Sequence, residues 1–239
     1  VCSSDLLSVL TTKVYDTSNS RLKIARNSKS EIGLDFEWAG MRLSVTAYRE
    51  LLRNGYSFGT DRSCFQLFEL KKYEGIEREG TYPLLKYSDA TNVVVSYYKP
   101  LNNSVNDSKG VEFDLDFGQI KPIRTSFVLT GAYMVTDSYS STESYFQKNP
   151  DPKKGYKDIG VYASGNGSRY SRFSTNLRVI HNIPKIGFVV SMSVQTIWSD
   201  THEYLGTENI HPIGYISASN LKYTALAEGD PISEDIQKQ

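Results

Sequence analysis

The sequence is poor in the residues that most catalytic and metal-binding chemistry uses. It has three histidines (His181, His202 and His211) and two cysteines in 239 residues. Net charge is zero, with 27 basic against 27 acidic residues, so no excess of one sign favours a polyanion and nucleic acid is not an expected partner. No apolar run approaches the roughly 18 residues of a membrane-spanning helix. That lack excludes helical spans alone, because strands of a membrane barrel alternate in polarity and have modest mean hydropathy. Residues 1–6, Val-Cys-Ser-Ser-Asp-Leu, match the in-frame translation of a widely used sequencing adapter and are expected to be foreign. Cys64 is then the sole native cysteine, and no intrachain disulfide is expected.

The scarce reactive residues assemble into no catalytic constellation, so an enzyme is not expected. Asp200, His202, Glu203 and His211 lie near one another but match no metal-ligand spacing. Gly165-Asn166-Gly167-Ser168 is glycine-rich yet lacks the strand, loop and helix of a phosphate cradle. Asn102, Asn106 and Asn166 each head an N-x-Ser triplet without further support. No catalytic residue, cofactor or metal is assigned.

What the chain does have is alternation. Glu31 to Trp38 places Ile32, Leu34, Phe36 and Trp38 on one side and Glu31, Gly33, Asp35 and Glu37 on the other. Arg42 to Ala47, Val111 to Phe117 and Ile186 to Trp198 repeat the pattern. A period of two means strands, since successive Cβ atoms point to opposite sides of a sheet. Six strands are expected, at about 29–38, 41–51, 108–118, 123–136, 169–181 and 186–200. Three tight turns separate them in pairs, at Ala39-Gly40, around Gln119 to Pro122, and at Asn182 to Lys185.

Register supports the pairing. A two-residue turn at Ala39-Gly40 sets Trp38 against Met41, Glu37 against Arg42, Phe36 against Leu43, Leu34 against Val45 and Ile32 against Ala47. Apolar meets apolar, and the polar side gains an opposite-charge pair worth about a few tenths of a kcal/mol. In the second hairpin Phe113 is set against Phe127 and Asp116 against Arg124. In the third, His181 faces Ile186, Val179 faces Phe188 and Leu177 faces Val190. Between the hairpins run two long polar segments, about 52–107 and 137–168, and residues 201–239 begin a third. Short turns at one end and long loops at the other are the topology of outer-membrane barrels. The acidic rows Glu31/Asp35/Glu37 and Glu112/Asp114/Asp116 then read as a hydrated face whose acids pair with Arg42 and Arg124.

Several stretches resemble a known family. Leu22-Lys23 with Lys29-Ser30-Glu31-Ile32-Gly33-Leu34-Asp35-Phe36, and Lys109-Gly110-Val111-Glu112-Phe113-Asp114-Leu115, resemble strands of TonB-dependent outer-membrane transporters. Phe173-Ser174-Thr175-Asn176-Leu177-Arg178, with Ile183-Pro184-Lys185-Ile186-Gly187 and Gln195-Thr196-Ile197-Trp198, is similar to the SusC-like branch of Bacteroidota. The likeness covers nearly everything after about residue 20. It implies an all-β, antiparallel up-and-down meander that is part of a transmembrane barrel of roughly 22 strands. Residues 7–239 would supply about six of these, without plug domain or TonB-contacting segment. The implied localisation is the cell outer membrane, and the implied function is energy-coupled import of large nutrients such as glycans or peptides. A SusD-like surface lipoprotein, the TonB system and outer-membrane lipid are the implied partners. Loop aromatics, Tyr56, Phe58, Tyr73, Tyr139, Tyr145 and Tyr156, are the candidate substrate contacts.

A different class also fits the alternation: a soluble or surface-attached β-sandwich that binds glycans. The two differ in what covers Ile32, Phe36, Val45, Phe113, Val190 and Met192. A sandwich buries them under a second sheet, whereas a barrel turns them out to lipid as a band about 25 Å tall.

Overall fold

The structure is a computed structural model that describes residues 12–146, 158–206 and 211–238. In chain order its elements are β1 (Arg26–Trp38), β2 (Met41–Gly59), a 3-10 turn (Arg62–Cys64), β3 (Phe65–Glu79), β4 (Tyr82–Ser96), β5 (Lys99–Ile120) and β6 (Thr125–Ser140). There follow β7 (Ser144–Phe146), β8 (Ile159–Tyr162), β9 (Gly167–Ile183), β10 (Phe188–Leu205), β11 (Gly214–Ile216), β12 (Tyr223–Ala225) and α1 (Pro231–Lys238). The protein is all-β and its sheets are antiparallel. Six strands form the main sheet in the order β1-β2-β5-β6-β9-β10. Among the described residues that sheet is open, β1 and β10 each having one neighbour.

All six expected strands are present, and each is longer than the alternation suggested. The first hairpin has the expected register, from Ile32 opposite Ala47 to Trp38 opposite Met41. Ala39 (φ 50°) and Gly40 (φ 81°) are both left-handed, the two-residue turn whose twist matches that of paired strands.

The other two hairpins correct the expected registers. Phe113 faces Gly131 rather than Phe127, and Asp116 faces Val128 rather than Arg124. His181 faces Val190 rather than Ile186, Val179 faces Met192, and Leu177 faces Val194. The turns have the expected four residues but lie two positions later in the chain, at 121–124 and 184–187. Each ends on a left-handed residue, Arg124 (φ 52°) and Gly187 (φ 72°). Strand β5 also carries a bulge between Asp116 and Gln119, where the Gly118 amide donates to Asp116 Oδ1 at 2.8 Å. Asp116 consequently lies 3.6 Å from Arg42 of the neighbouring hairpin and does not reach Arg124.

The long loops are a second correction, because much of their length is strand. β2 runs on to Gly59 and β5 begins at Lys99. Between them β3 and β4 form a hairpin of their own, in which Leu67 faces Val94 and Phe68 faces Val93. After β6 and β10 the short strands assemble into a small sheet, β12-β11-β8-β7. All of these lie at the end of the main sheet opposite the three short turns.

Packing is distributed unusually. The buried apolar cluster is Val94, Ile159, Val161 and Ile216, with Phe65, Leu67, Tyr145, Leu221 and Tyr223 against it. Every one of those residues comes from the loop end. Among the described residues no second layer packs on the main sheet. Ile32 is 70% exposed, Phe36 60%, Val190 53% and Met192 54%, while Val45 and Phe113 on inner strands are half-buried by their neighbours. None of the six is buried, as a sandwich would require. The total accessible surface is 17199 Å², against about 10,800 Å² for a compact monomer of this mass.

Candidate binding site at the loop end

A large cavity lies where the loops meet the main sheet. It has a volume of about 890 Å³ and is lined by Asp16 and residues 18–21 of the segment before β1, by 60–63, by Lys99, by 141–143 with Tyr145, and by Ser164. Its floor is built by local rules. Asp61 caps the 3-10 turn, accepting from the Ser63 amide at 2.8 Å and the Ser63 hydroxyl at 2.5 Å. The Asp61 amide in turn donates to Cys64 Sγ at 3.4 Å, which closes a capping box and buries the thiol.

Two ion pairs set the electrostatics. Lys99 Nζ lies 2.7 Å from Asp61 Oδ2 and donates to Ser63 Oγ at 2.7 Å. Arg62 grips both carboxylate oxygens of Glu143, at 2.7 and 3.2 Å. Tyr145 donates its hydroxyl to the same carboxylate at 2.9 Å. The Arg62 guanidinium also lies over the Tyr223 ring, 3.7 Å from its centre. One side chain therefore joins three loops: its own, that of Glu143 and Tyr145, and that of Tyr223.

These contacts fix the protonation states. Burial opposes ionisation of Asp61, but hydrogen bonds from Lys99 and Ser63 outweigh it and hold the carboxyl below its ordinary range. The hydrogen bond to Asp61 raises Lys99. Burial, followed by the bond to Glu143, pushes the Tyr145 phenol up to about 12. Burial also raises the Cys64 thiol, which makes it a poor nucleophile at neutral pH. At neutral pH the floor thus offers paired charges, hydroxyls and one phenol donor. Such a lining suits an uncharged or zwitterionic polar ligand held by many hydrogen bonds.

The loop aromatics expected as contacts are not brought together. Tyr145 lines this cavity. Tyr139 belongs to a separate groove of about 250 Å³, beside Arg49, Arg53 and Asp107. Tyr56 and Phe58 stand exposed on the extension of β2, and Tyr73 is half-buried at a bulge in the β3–β4 hairpin. Tyr156 lies outside the described residues. Sequence reasoning missed Asp61, Arg62, Lys99 and Glu143. Of these, Asp61 alone leaves a local trace, since Asp-x-Ser before a short turn is a capping signal. The ion pairs join positions 38 and 81 apart, as Lys99 to Asp61 and Glu143 to Arg62, which no local pattern reveals.

A second concavity, of about 440 Å³, runs along the polar face of the main sheet. Ser44, Thr46, Glu112, Asp114, Asn176 and Gln195 line it. On β10, Asp200 is engaged by Arg172 at 2.9 Å, and the His202 ring meets Tyr204 edge to face. Among the described residues no three histidine, cysteine or acidic side chains form a metal-holding group. The Asn102 amide is taken up structurally, bonded to Lys23 and to the Asn54 carbonyl. Comparison with protein-family models, with curated proteins and with solved structures finds no match to this chain.

Proposed function

We propose that this chain is a section of the wall of an outer-membrane importer of the TonB-dependent, SusC-like type. In this reading β1, β2, β5, β6, β9 and β10 cross the outer membrane. The short turns face the periplasm, and the loop end takes up nutrient outside. The observation that carries the reading is the uncovered apolar face, which runs across all six strands from Ile32 and Phe36 to Val190 and Met192. Lipid is the covering that such a face calls for when no second layer packs on it. The strands hold to the alternation that a lipid side and a water side demand, and their connections divide by length as periplasmic turns and outer loops do. The polar groove fits a hydrated lumen, and the loop-end cavity fits a glycan or peptide held by hydroxyls and a phenol. Uptake of this kind is transport, with a SusD-like lipoprotein and the TonB system as the partners.

The two tryptophans provide the test. Trp38 and Trp198 are both exposed, and Trp198 donates to Thr175 and stacks on Phe173, which lie on the apolar side of β9. In vesicles of brominated lipid their fluorescence is expected to be strongly quenched, with little effect of aqueous iodide. A chain that is a monodisperse monomer in buffer without detergent, with both tryptophans open to iodide and untouched by brominated lipid, would overturn the reading.

A further inference from the structure

We infer that residues 16–22 form a strap that gates the loop-end cavity. The two walls of the cavity are built differently. One wall, residues 60–63 and 141–145, is locked by the Asp61–Lys99 and Arg62–Glu143 pairs and backed by the buried cluster around Val94, Val161 and Ile216. The other wall is residues 16–21, which belong to no strand or helix.

That second wall hangs between two anchors. At one end Tyr15 stacks on Tyr97 with ring centres 4.9 Å apart and meets Phe68 edge to face at 6.2 Å. At the other, Asn102 accepts from the Lys23 amide at 2.6 Å and donates to the Lys23 carbonyl at 2.7 Å, reproducing a strand pairing with one side chain. Among the described residues, a single hydrogen bond ties the span between the anchors to the sheet. It runs from Asn19 Nδ2 to the Pro100 carbonyl, at 2.9 Å. The remaining bonds of the span are internal, such as Ser18 to Asp16 and Arg21 to Asn19.

A segment with few buried contacts and one weak tether opens on its own, far below the threshold for unfolding its surroundings. Its anchors restrict that opening to a hinged swing. The strap therefore sets what size of molecule reaches the floor of the cavity, and it closes over a ligand that bridges its hydroxyls and the opposite wall. This inference does not draw on the membrane placement of the sheet. A water-soluble chain would defeat the transporter reading and leave the gate standing.

The experiment uses the full chain with Thr60→Cys, a cavity-lining position that forms no side-chain bond in the structure. Its labelling is measured with a small methanethiosulfonate and with a polyethylene-glycol maleimide, after subtraction of the signal from the chain without the reporter. The small reagent is expected to react much faster than the bulky one. Asn19→Ala is expected to narrow that ratio about 5-fold, the equivalent of one neutral hydrogen bond. Tyr15→Ala, which frees an anchor and leaves the Asn19 bond intact, narrows it in the same direction. Amide exchange in the β9–β10 hairpin reports that each variant keeps its sheet. Equal labelling by both reagents in the parent, or a ratio unmoved by both substitutions, overturns the gate.

Discussion

The ring of Phe113 lies directly on Gly131, its cross-strand partner, and a Cβ built at position 131 would fall well inside contact distance of two ring carbons. The pairing fills the gap left by a residue without a side chain and covers backbone that would otherwise be bare. Gly131→Ala is expected to push the ring aside and cost about 1–3 kcal/mol, as overpacking does. Phe113→Ala with Gly131→Ala should cost less than the two singles added, because the clash vanishes with the ring. Denaturant unfolding of the four proteins in detergent measures both effects, and strict additivity would show that the two residues do not interact.

A neighbouring pair of residues separates the two faces of the sheet. Val45 and Thr46 are consecutive on β2, and Val45 pairs with Leu34 on the apolar side while Thr46 lines the polar groove. Val45→Lys is expected to weaken folding into lipid vesicles by about 2–4 kcal/mol. Thr46→Lys should leave it nearly unchanged. Heat-modifiable gel mobility reports folding in both cases, and equal penalties would argue against a lipid side.

How far the fold was legible follows from the turns. Ala39-Gly40 admits one register because a two-residue turn has no slack, and the first hairpin came out residue for residue. In the other two hairpins the expected partners are four positions off, Phe127 against Gly131 and Ile186 against Val190. A slip of an even number keeps every side chain on its own face, so alternation cannot detect it. The left-handed Arg124 and the bulge before Gln119, which decide the matter, leave no pattern that alternation can read. In the first long segment the β3–β4 hairpin escapes a reading by alternation, since its partners, such as Leu67 and Val94, are set by tertiary packing across a long insertion. The same reason hid the cavity, whose charged floor is assembled from β2, β5 and β7 neighbours distant in sequence.

The ion pairs on that floor give a pH window. The Asp61 pKa is lowered on folding, so its contribution is present above the ordinary carboxylate range and is lost as pH falls through its folded value. The Lys99 pKa is raised, so its contribution holds below the ordinary lysine range and is lost as pH climbs through its folded value. Stability from this pair is expected to be flat between about pH 5 and 9 and to decline on both sides. Partial exposure and salt screening limit it to about 1 kcal/mol. Lys99→Met should flatten the acid limb of the melting-temperature profile at low salt. An acid limb unchanged by the substitution would count against the pair.

Tyr145 should remain a phenol well above the ordinary tyrosine range, given its value of about 12. Glu143→Gln removes the carboxylate that helps to raise it and should bring its titration lower, though burial, the larger cause, remains. Ultraviolet difference titration of the parent, Tyr145→Phe and Glu143→Gln isolates the band. A Tyr145 band already titrating near the ordinary tyrosine value in the parent would contradict the Glu143 contact.

Cys64 offers a last check on the loop end. It is wholly buried, with its thiol raised by that burial, so modification by a small thiol reagent at neutral pH should be slow and should follow opening of the loops. Arg62→Ala, which releases the clamp over Glu143 and Tyr223, is expected to speed it about 5-fold or more. Peptide mapping locates the label, and rapid modification of Cys64 in the parent chain would show the capping box to be loose.

The placement of the buried cluster divides the molecule by what holds each part together. If the sheet is a membrane wall as proposed, it depends on whatever bathes it: among the described residues nothing covers its greasy side, and detergent or lipid would supply the missing half of its interior. The rim carries its own nucleus, in Val94, Ile159, Val161 and Ile216, and relies on water outside and ion pairs within. Solvent conditions therefore act on the two separately. On that reading, stripping amphiphile would undo the wall first, while salt and acid would reach the rim, so one chain would answer two different environments with two different failures.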